Sequence, residues 1–433
     1  MPAWAPGDYE ILNYGQQVVE AQFLLGDKIV PSQKTDMNTW SIPAGANRAI
    51  YTVSESVGNF SPNLRVRPDE TFVNGGGVFG WFTGEDNKEQ TLLVASPDKQ
   101  WVAIALPEKK GAAGWSGFTA RDYTEMIDSP FVVGSNMLVA EFTVGGKRHR
   151  MVGYNDTAGV DMKTFADVAK PIVESNFAMF GSLPYDQYVF FCDFRGGGGG
   201  LEHLSSTRLG IYSKNGAQAS GLIAHEYFHC FNVKSIREKP LGPFDYTKPA
   251  IVSTLWWLEG VTDYYASVML LRAGLMNEQN FLGDMGGSYN GLLRNDARLK
   301  VTAAEASEKV WTNPNSQGWG GLSYYQKGKL VGACLDLAIR TESNGAKSLD
   351  DVIKALYQEC KDRKPGYESI HLRELCVQFG GPKLGPIYDR CVTTVEELPL
   401  DDLLTAAGYS RNAGKVDRLA NVATKANWPW PVK

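Results

Sequence analysis

The chain has 433 residues and a net charge of −5. That length suits two or three domains, and a 43% hydrophobic fraction with 19 Phe, 19 Tyr and 11 Trp excludes a disordered chain. No apolar run approaches the ~18 residues of a spanning helix, and the charges are mixed, with no polybasic run. Neither membrane insertion nor nucleic-acid binding is therefore expected. The start, MPAWAPGDYE, carries no basic and apolar leader. Compartment and oligomeric state are not legible.

Residues 1–154 read as a β domain of sandwich type. Runs with period-two alternation cover Gln17–Leu25, Ala49–Val53, Thr91–Ala95, Trp101–Leu106 and Met137–Val144. Glycine and proline clusters such as Asn74-Gly75-Gly76-Gly77 and Gly145-Gly146 punctuate them. The pattern then changes. Asp161–Ser175 has helical periodicity, Tyr188–Phe191 is a short aromatic strand, a glycine run follows at 196–200, and Ser206–Ser213 alternates again. Beyond residue 217 the chain reads as mainly helical. Helices are expected over Ala217–Lys234, over Ser253–Ala273 with Ser253 as N-cap, and over Tyr324–Arg340. A further helix over Ser348–Glu359 opens on a capping-box-like Ser-x-x-Asp. Residues 410–433 read as a C-terminal extension.

The six cysteines, Cys192, Cys230, Cys334, Cys360, Cys376 and Cys391, form no CxxC pair. A zinc ribbon or thioredoxin-type site is therefore not indicated. Reduced, buried thiols are expected, with a disulfide among the last four as the alternative.

The chemistry centres on His225-Glu226-Tyr227-Phe228-His229, an HExxH motif. On a helix, residues i and i+4 share a face about 5–6 Å apart, so the two imidazoles can grip one metal ion. Glu226 sits one residue round, where it misses the metal and reaches an activated water. Two core histidines are the bland alternative. A catalytic zinc site needs a third protein ligand and an open position. Glu259, within the apolar run Trp256-Trp257-Leu258-Glu259-Gly260-Val261, offers it, since a lone carboxylate there is costly to bury. Asp263, at i+4 from Glu259, can accept the spare N–H of a ligand histidine. Upstream lies Gly199-Gly200-Leu201-Glu202-His203, and downstream Tyr325-Gln326-Lys327-Gly328. Glu202 can hold an ammonium group, and a buried Tyr325 hydroxyl can donate to a developing oxyanion. Lys234 and Arg237, after the HExxH helix, read as two solvated charges.

The runs HEYFHCFNVKSIR (225–237) and LWWLEGVTDYYA (255–266) closely resemble the M61 family of zinc aminopeptidases, the glycyl aminopeptidase type. Gly-Gly-Leu-Glu-His (199–203) is similar to the exopeptidase motif GAMEN of the related M1 enzymes. Tyr325-x-Lys-Gly is similar to their YxKG, and Pro2-Ala-Trp4-Ala-Pro6-Gly7-Asp8-Tyr9 resembles an element of the M61 N-terminal domain. Glu397–Gly408 resembles the end of the M61 catalytic domain, so the likeness runs over about residues 2–409.

The resemblance implies an α+β multidomain protein: an N-terminal β-sandwich-like domain, then a thermolysin-like catalytic domain over 155–409 with a helical C-terminal lobe. It implies one Zn2+ on His225, His229 and Glu259, with Glu226 as general base and then acid. It gives Tyr325 to the oxyanion, and Glu202, with Gly199 and Gly200, to the amine end of the substrate. The implied substrates are peptides with a free N-terminus, Gly or Ala first. The chain departs from the family at both ends. It begins at the Pro2 element, where relatives have earlier strands, and the residues beyond 409 are too few for the PDZ domain many carry. An endopeptidase on the same zinc site and a non-catalytic peptide-binding module are the competing readings.

Overall fold

The alternating runs of the first third close into small antiparallel sheets. In the computed structural model, which describes all residues except 57–61, 96–100, 196, 313–319, 363, 413, 420–427 and 429–433, Val18–Leu25 pairs with Lys28–Val30 on one side and Arg48–Val53 on the other. A second sheet orders Glu108–Lys109, Trp115–Ala120 and Gln90–Ala95. A third orders Leu64–Val66, Glu70–Val73, Phe131–Gly134 and Trp101–Ala103. Every residue of Phe131–Gly134 is buried, because the third sheet is covered on both faces. Phe131 and Val133 pack with Leu92 and Phe118 of the second sheet. Val132 and Phe72 pack with Val152, Val189 and Phe191 of the sheet that follows.

That next sheet has five strands in the order Leu138–Val144, Lys147–Tyr154, Gln187–Asp193, Ser206–Gly210, Gly200–Glu202. Its three central strands run parallel and both edges are antiparallel. The sheet crosses the boundary drawn at residue 154 from sequence, because two strands on the near side pair into it. Gln187–Asp193 is buried on both faces, which is why it reads as an unbroken apolar run rather than as alternation. The helix that crosses over the sheet spans Met162–Phe180. Asp161 caps it, accepting from the Lys163 N–H, and Gly181 ends it at φ +73.

The helical half differs from expectation at two element ends. The helix expected over 217–234 is a 3-10 turn, Gly216–Ala219, followed by Ser220–Phe228. Beyond it the N–H groups of Asn232 and Lys234 fold back onto the carbonyls of Phe228 and His229. The apolar periodicity runs on because Phe231, Val233 and Ile236 of the following loop are themselves buried. Ser253 is not an N-cap: its N–H donates to Glu238 Oε2, and Thr254 supplies the carbonyl that the first turn bonds to. The residues that follow form a π-helical segment, Trp256–Val261, which continues as the α-helix Thr262–Arg272.

Tyr324–Glu342 is buried along most of its length, with Glu278–Leu293, Leu349–Cys360, Ser369–Gly380, Leu384–Val392 and Leu400–Ala407 around it. The capping box at Ser348 and Asp351 is formed. The extension begins with a hairpin, Tyr409–Asn412 with Lys415–Arg418, and Trp428 is fully buried, its indole donating to Tyr264 Oη. All six cysteines are free and buried, with no disulfide. No described helix is long and apolar enough to cross a membrane.

Candidate active site

The HExxH residues lie where the helix Ser220–Phe228 meets the π-helical segment. His225 is in the last helical turn and His229 is its C-cap residue, still in helical conformation. Each histidine has its Nδ1 tied outward, His225 to Asp263 Oδ1 at 2.8 Å and His229 to the Asn232 carbonyl at 2.7 Å. Acceptors at both Nδ1 atoms place the ring protons there. Each Nε2 lone pair is then turned inward, 3.0 Å from the other. Glu259 Oε2 joins them at 3.2 Å from His229 Nε2 and 3.7 Å from His225 Nε2. Two lone pairs and a carboxylate oxygen at such separations repel one another unless a cation sits between them.

Metal–ligand bonds of ~2.0–2.1 Å at tetrahedral angles put ligand atoms about 3.3 Å apart. The three observed separations bracket that value, so the residues present fit a zinc ion. The π-helical winding matters here: such segments concentrate at functional sites, and this one carries the carboxylate into a wall of buried Trp256, Trp257 and Leu258. Asn232 ties the two elements together, its amide donating to the Trp257 carbonyl and to Thr262 Oγ1.

Glu226 faces the same space from the other side. Its Oε2 is buried with no hydrogen-bond partner. Burial pushes its carboxyl up to about 7; His225 and His229 pull against that, while Glu202 and Glu259 add to it. Glu202 ends the edge strand Gly200–Glu202 and is buried; ligand atoms of Glu202, Glu226 and His229 lie within 4.8 Å of one another. Gly200 is required at this approach, since a Cβ there would lie 2.3 Å from Glu226 Cδ. Gly199 sits at φ +79 and accepts from the Gly210 N–H through its carbonyl. The outer edge of Gly200–Glu202 pairs with no other strand among the described residues.

Tyr325 opens the helix Tyr324–Glu342, its ring 6.1 Å from that of His225. Burial and then Glu259 hold its hydroxyl well above the usual phenol range, so it stays a donor. The helix comes this close because Gly260 and Gly328 meet backbone to backbone: a Cβ on Gly328 would lie 2.1 Å from the Trp256 carbonyl oxygen.

All the residues singled out from sequence therefore meet at one place, except Lys234 and Arg237, whose expected solvation is corrected. Lys234 is buried and its Nζ donates to Asp128 Oδ1 at 2.6 Å. Arg237 donates to the Lys234 carbonyl, with its guanidinium over the Phe244 ring. Asp128, from the β portion, also accepts from the Leu204 N–H and contacts His203 Nδ1 at 3.1 Å, so it braces the loop behind Glu202. Burial opposes its charge, yet Lys234 and His203 hold its carboxyl well below the usual range. Sequence reasoning missed Asp128, and it missed Tyr9, whose hydroxyl donates to Glu259 Oε1 at 2.8 Å. The Pro2–Tyr9 motif was legible as a domain signature, and it was the available signal for Tyr9. A cavity of about 890 Å3 between the β portion and the segments after the HExxH helix is lined by Asp128, Lys234 and Arg237 but by none of His225, Glu226, His229 and Glu259.

Residues 218–331 match the family model of the M61 glycyl aminopeptidase, and residues 1–135 match that of the M61 peptidase N-terminal domain. The chain belongs to the M61 family. It is thus a zinc metallo-aminopeptidase by family, a hydrolase of peptide bonds. Among solved structures, this M61 chain is similar to an aminopeptidase N family protein from Idiomarina loihiensis, with TM-score 0.86, 24% identity, and 95% of this chain and 73% of that one covered. It is similar to an M1 zinc metallopeptidase from Deinococcus radiodurans, with TM-score 0.57, 15% identity, and 88% and 85% covered. It is also similar to a yeast LTA4 hydrolase in complex with bestatin, with TM-score 0.58, 12% identity, and 87% and 61% covered. At such identities these likenesses speak to the fold. No curated protein matches the chain by sequence.

Proposed function

We propose that the chain removes single N-terminal residues from peptides, Gly or Ala preferred, with one zinc ion held by His225, His229 and Glu259. The observation that carries the reading is the convergence, in one buried space, of three ligand atoms with the orphan carboxylate oxygen of Glu226 and the carboxylate of Glu202. When bound, zinc supplies a Lewis acid that polarises the scissile carbonyl and makes water nucleophilic near neutral pH. Glu226 Oε2 takes the proton of the attacking water and returns it to the leaving amine. The Tyr325 hydroxyl donates to the oxygen of the reacting carbonyl as charge builds on it, the kind of contact whose loss costs about 2.7–4 kcal/mol. Asp263 and the Asn232 carbonyl hold the two imidazoles in the tautomer that presents Nε2.

Glu202 accepts the substrate's α-ammonium group. The backbone of Gly199 and Gly200, without side chains to intervene, lets the peptide lie along the open strand edge. Preference for a small first residue is supported by the tight space beside Glu202, where even a Cβ on Gly7 would lie 2.6 Å from Leu201 Cδ1 and 2.9 Å from Glu202 Oε2. A carboxylate fixed there favours a free amine over an internal segment.

The test compares Ala-Ala-Phe with its N-acetylated twin, each with and without a zinc chelator. Cleavage of the free form alone, abolished by chelator, is expected. Cleavage of both forms at similar rates makes the enzyme an endopeptidase and removes Glu202 as amine anchor. A zinc-loaded protein that cleaves neither favours a binding role.

A further inference from the structure

The segment Pro2–Tyr9 leaves the β sheets and enters the catalytic half. Ala3, Trp4 and Tyr9 pack in the same apolar cluster as the HExxH helix and the Glu259 segment. The Ala3 N–H donates to the Tyr246 carbonyl at 2.8 Å, and the Trp4 indole donates to the Asp245 carbonyl at 3.0 Å. Phe244 and Trp311 meet the Trp4 ring edge-on. From this anchor the chain turns at Gly7, φ +92, and delivers Tyr9 to the metal-facing carboxylate. Trp311 and Tyr324 hold the Tyr9 ring edge-on from two directions. The buried hydroxyl donates to Glu259 Oε1, while Oε2 of the same carboxylate faces both histidines.

We propose that Pro2–Tyr9 is a strap and that Tyr9 is a positioning residue for the third metal ligand. It occupies one carboxylate oxygen of Glu259 so that the other is presented singly to the ion. An unrestrained carboxylate could rotate and offer either oxygen or both; a hydrogen-bonded one arrives in a fixed orientation, and loss of such a partner typically weakens metal binding about 10–100-fold. The strap's second contact is separate. At Gly7 a Cβ would lie 2.6 Å from Leu201 Cδ1 and 2.9 Å from Glu202 Oε2. That position therefore bears on the amine anchor as well as on the turn that delivers Tyr9. The proposal rests on the reading of Glu259 as a zinc ligand.

The experiment measures zinc affinity by chelator competition, and apo-protein melting, for wild type, Tyr9→Phe, Ile29→Thr and Glu259→Gln. Tyr9→Phe keeps the ring and its packing and removes only the hydroxyl. The expected result is zinc binding about 10–100-fold weaker in Tyr9→Phe, still weaker in Glu259→Gln, and unchanged in Ile29→Thr, whose side chain is exposed on the N-terminal sheet. If Glu259→Gln loses zinc while Tyr9→Phe stays within twofold of wild type, the strap proposal fails and the ligand reading stands. If neither variant loses affinity, both fail. If Ile29→Thr weakens zinc as much as Tyr9→Phe does, the effect is general loosening and Tyr9 has no positioning role.

Discussion

The strap Pro2–Tyr9 and the sheet that begins nine residues later at Val18 lie in the same N-terminal stretch, yet their surroundings are opposite. Trp4 is 0% exposed, whereas Val19, Ile29 and Ile50 are 70%, 66% and 54% exposed. The strap's side chains find partners some 240–250 positions away, Asp245 and Glu259; those of the sheet mostly face water. The strap has 4 hydrophobic residues of 8 and the three strands 12 of 17, so composition would bury the sheet rather than the strap. What separates them is whether a complementary surface exists, and the catalytic half supplies one only to the strap. The β portion thus acts on the site through a few long-range contacts, chiefly Tyr9 and Asp128.

The largest effect should come from Trp4→Ala. It removes a fully buried indole, three aromatic neighbours and a hydrogen bond. A loss of about 3–5 kcal/mol is expected in denaturant unfolding, and a loss under 1 kcal/mol would mean the strap is not held as described.

Asp128→Asn comes next, at roughly 3 kcal/mol at pH 7, because it strands the buried Lys234 ammonium. Its pH dependence has a definite sign. A carboxyl held below its unfolded value contributes stability above that value, and the contribution fades as pH falls toward the folded pKa. The gap between wild type and Asp128→Asn should therefore be constant above about pH 5 and should narrow below about pH 4. A gap that widens in acid would contradict the ion pair. At the small end, Ile29→Thr on the solvated sheet should shift stability by no more than about 0.5 kcal/mol; a shift above 2 kcal/mol would show that this face is covered in solution.

The candidate metal ligands were legible because HExxH and the Glu259–Asp263 pair are local patterns whose chemistry follows from helical spacing. The capping box at Ser348 was legible for the same reason. The end of the HExxH helix was not, since buried Phe231, Val233 and Ile236 carry its apolar signal past the real terminus. Ser253 has the side chain of an N-cap, but the first turn bonds to the carbonyl of Thr254, one residue later. Lys234 looked solvated because its partner, Asp128, is 106 positions away. Tyr9 and Asp128 have in common that nothing near them in sequence announces a partner; only the tertiary fold brings donor and acceptor together.

The central claim is that Glu226 moves protons without holding the metal, whereas His225, His229 and Glu259 hold it. The most direct measurement is zinc content and peptide turnover of Glu226→Gln purified beside wild type. The account predicts one zinc per chain in both proteins and turnover in the variant reduced by about a thousandfold, within the roughly 10²–10⁴-fold that positioned general acid–base catalysis contributes. Turnover near the wild-type rate, or a variant that no longer retains zinc, would contradict it.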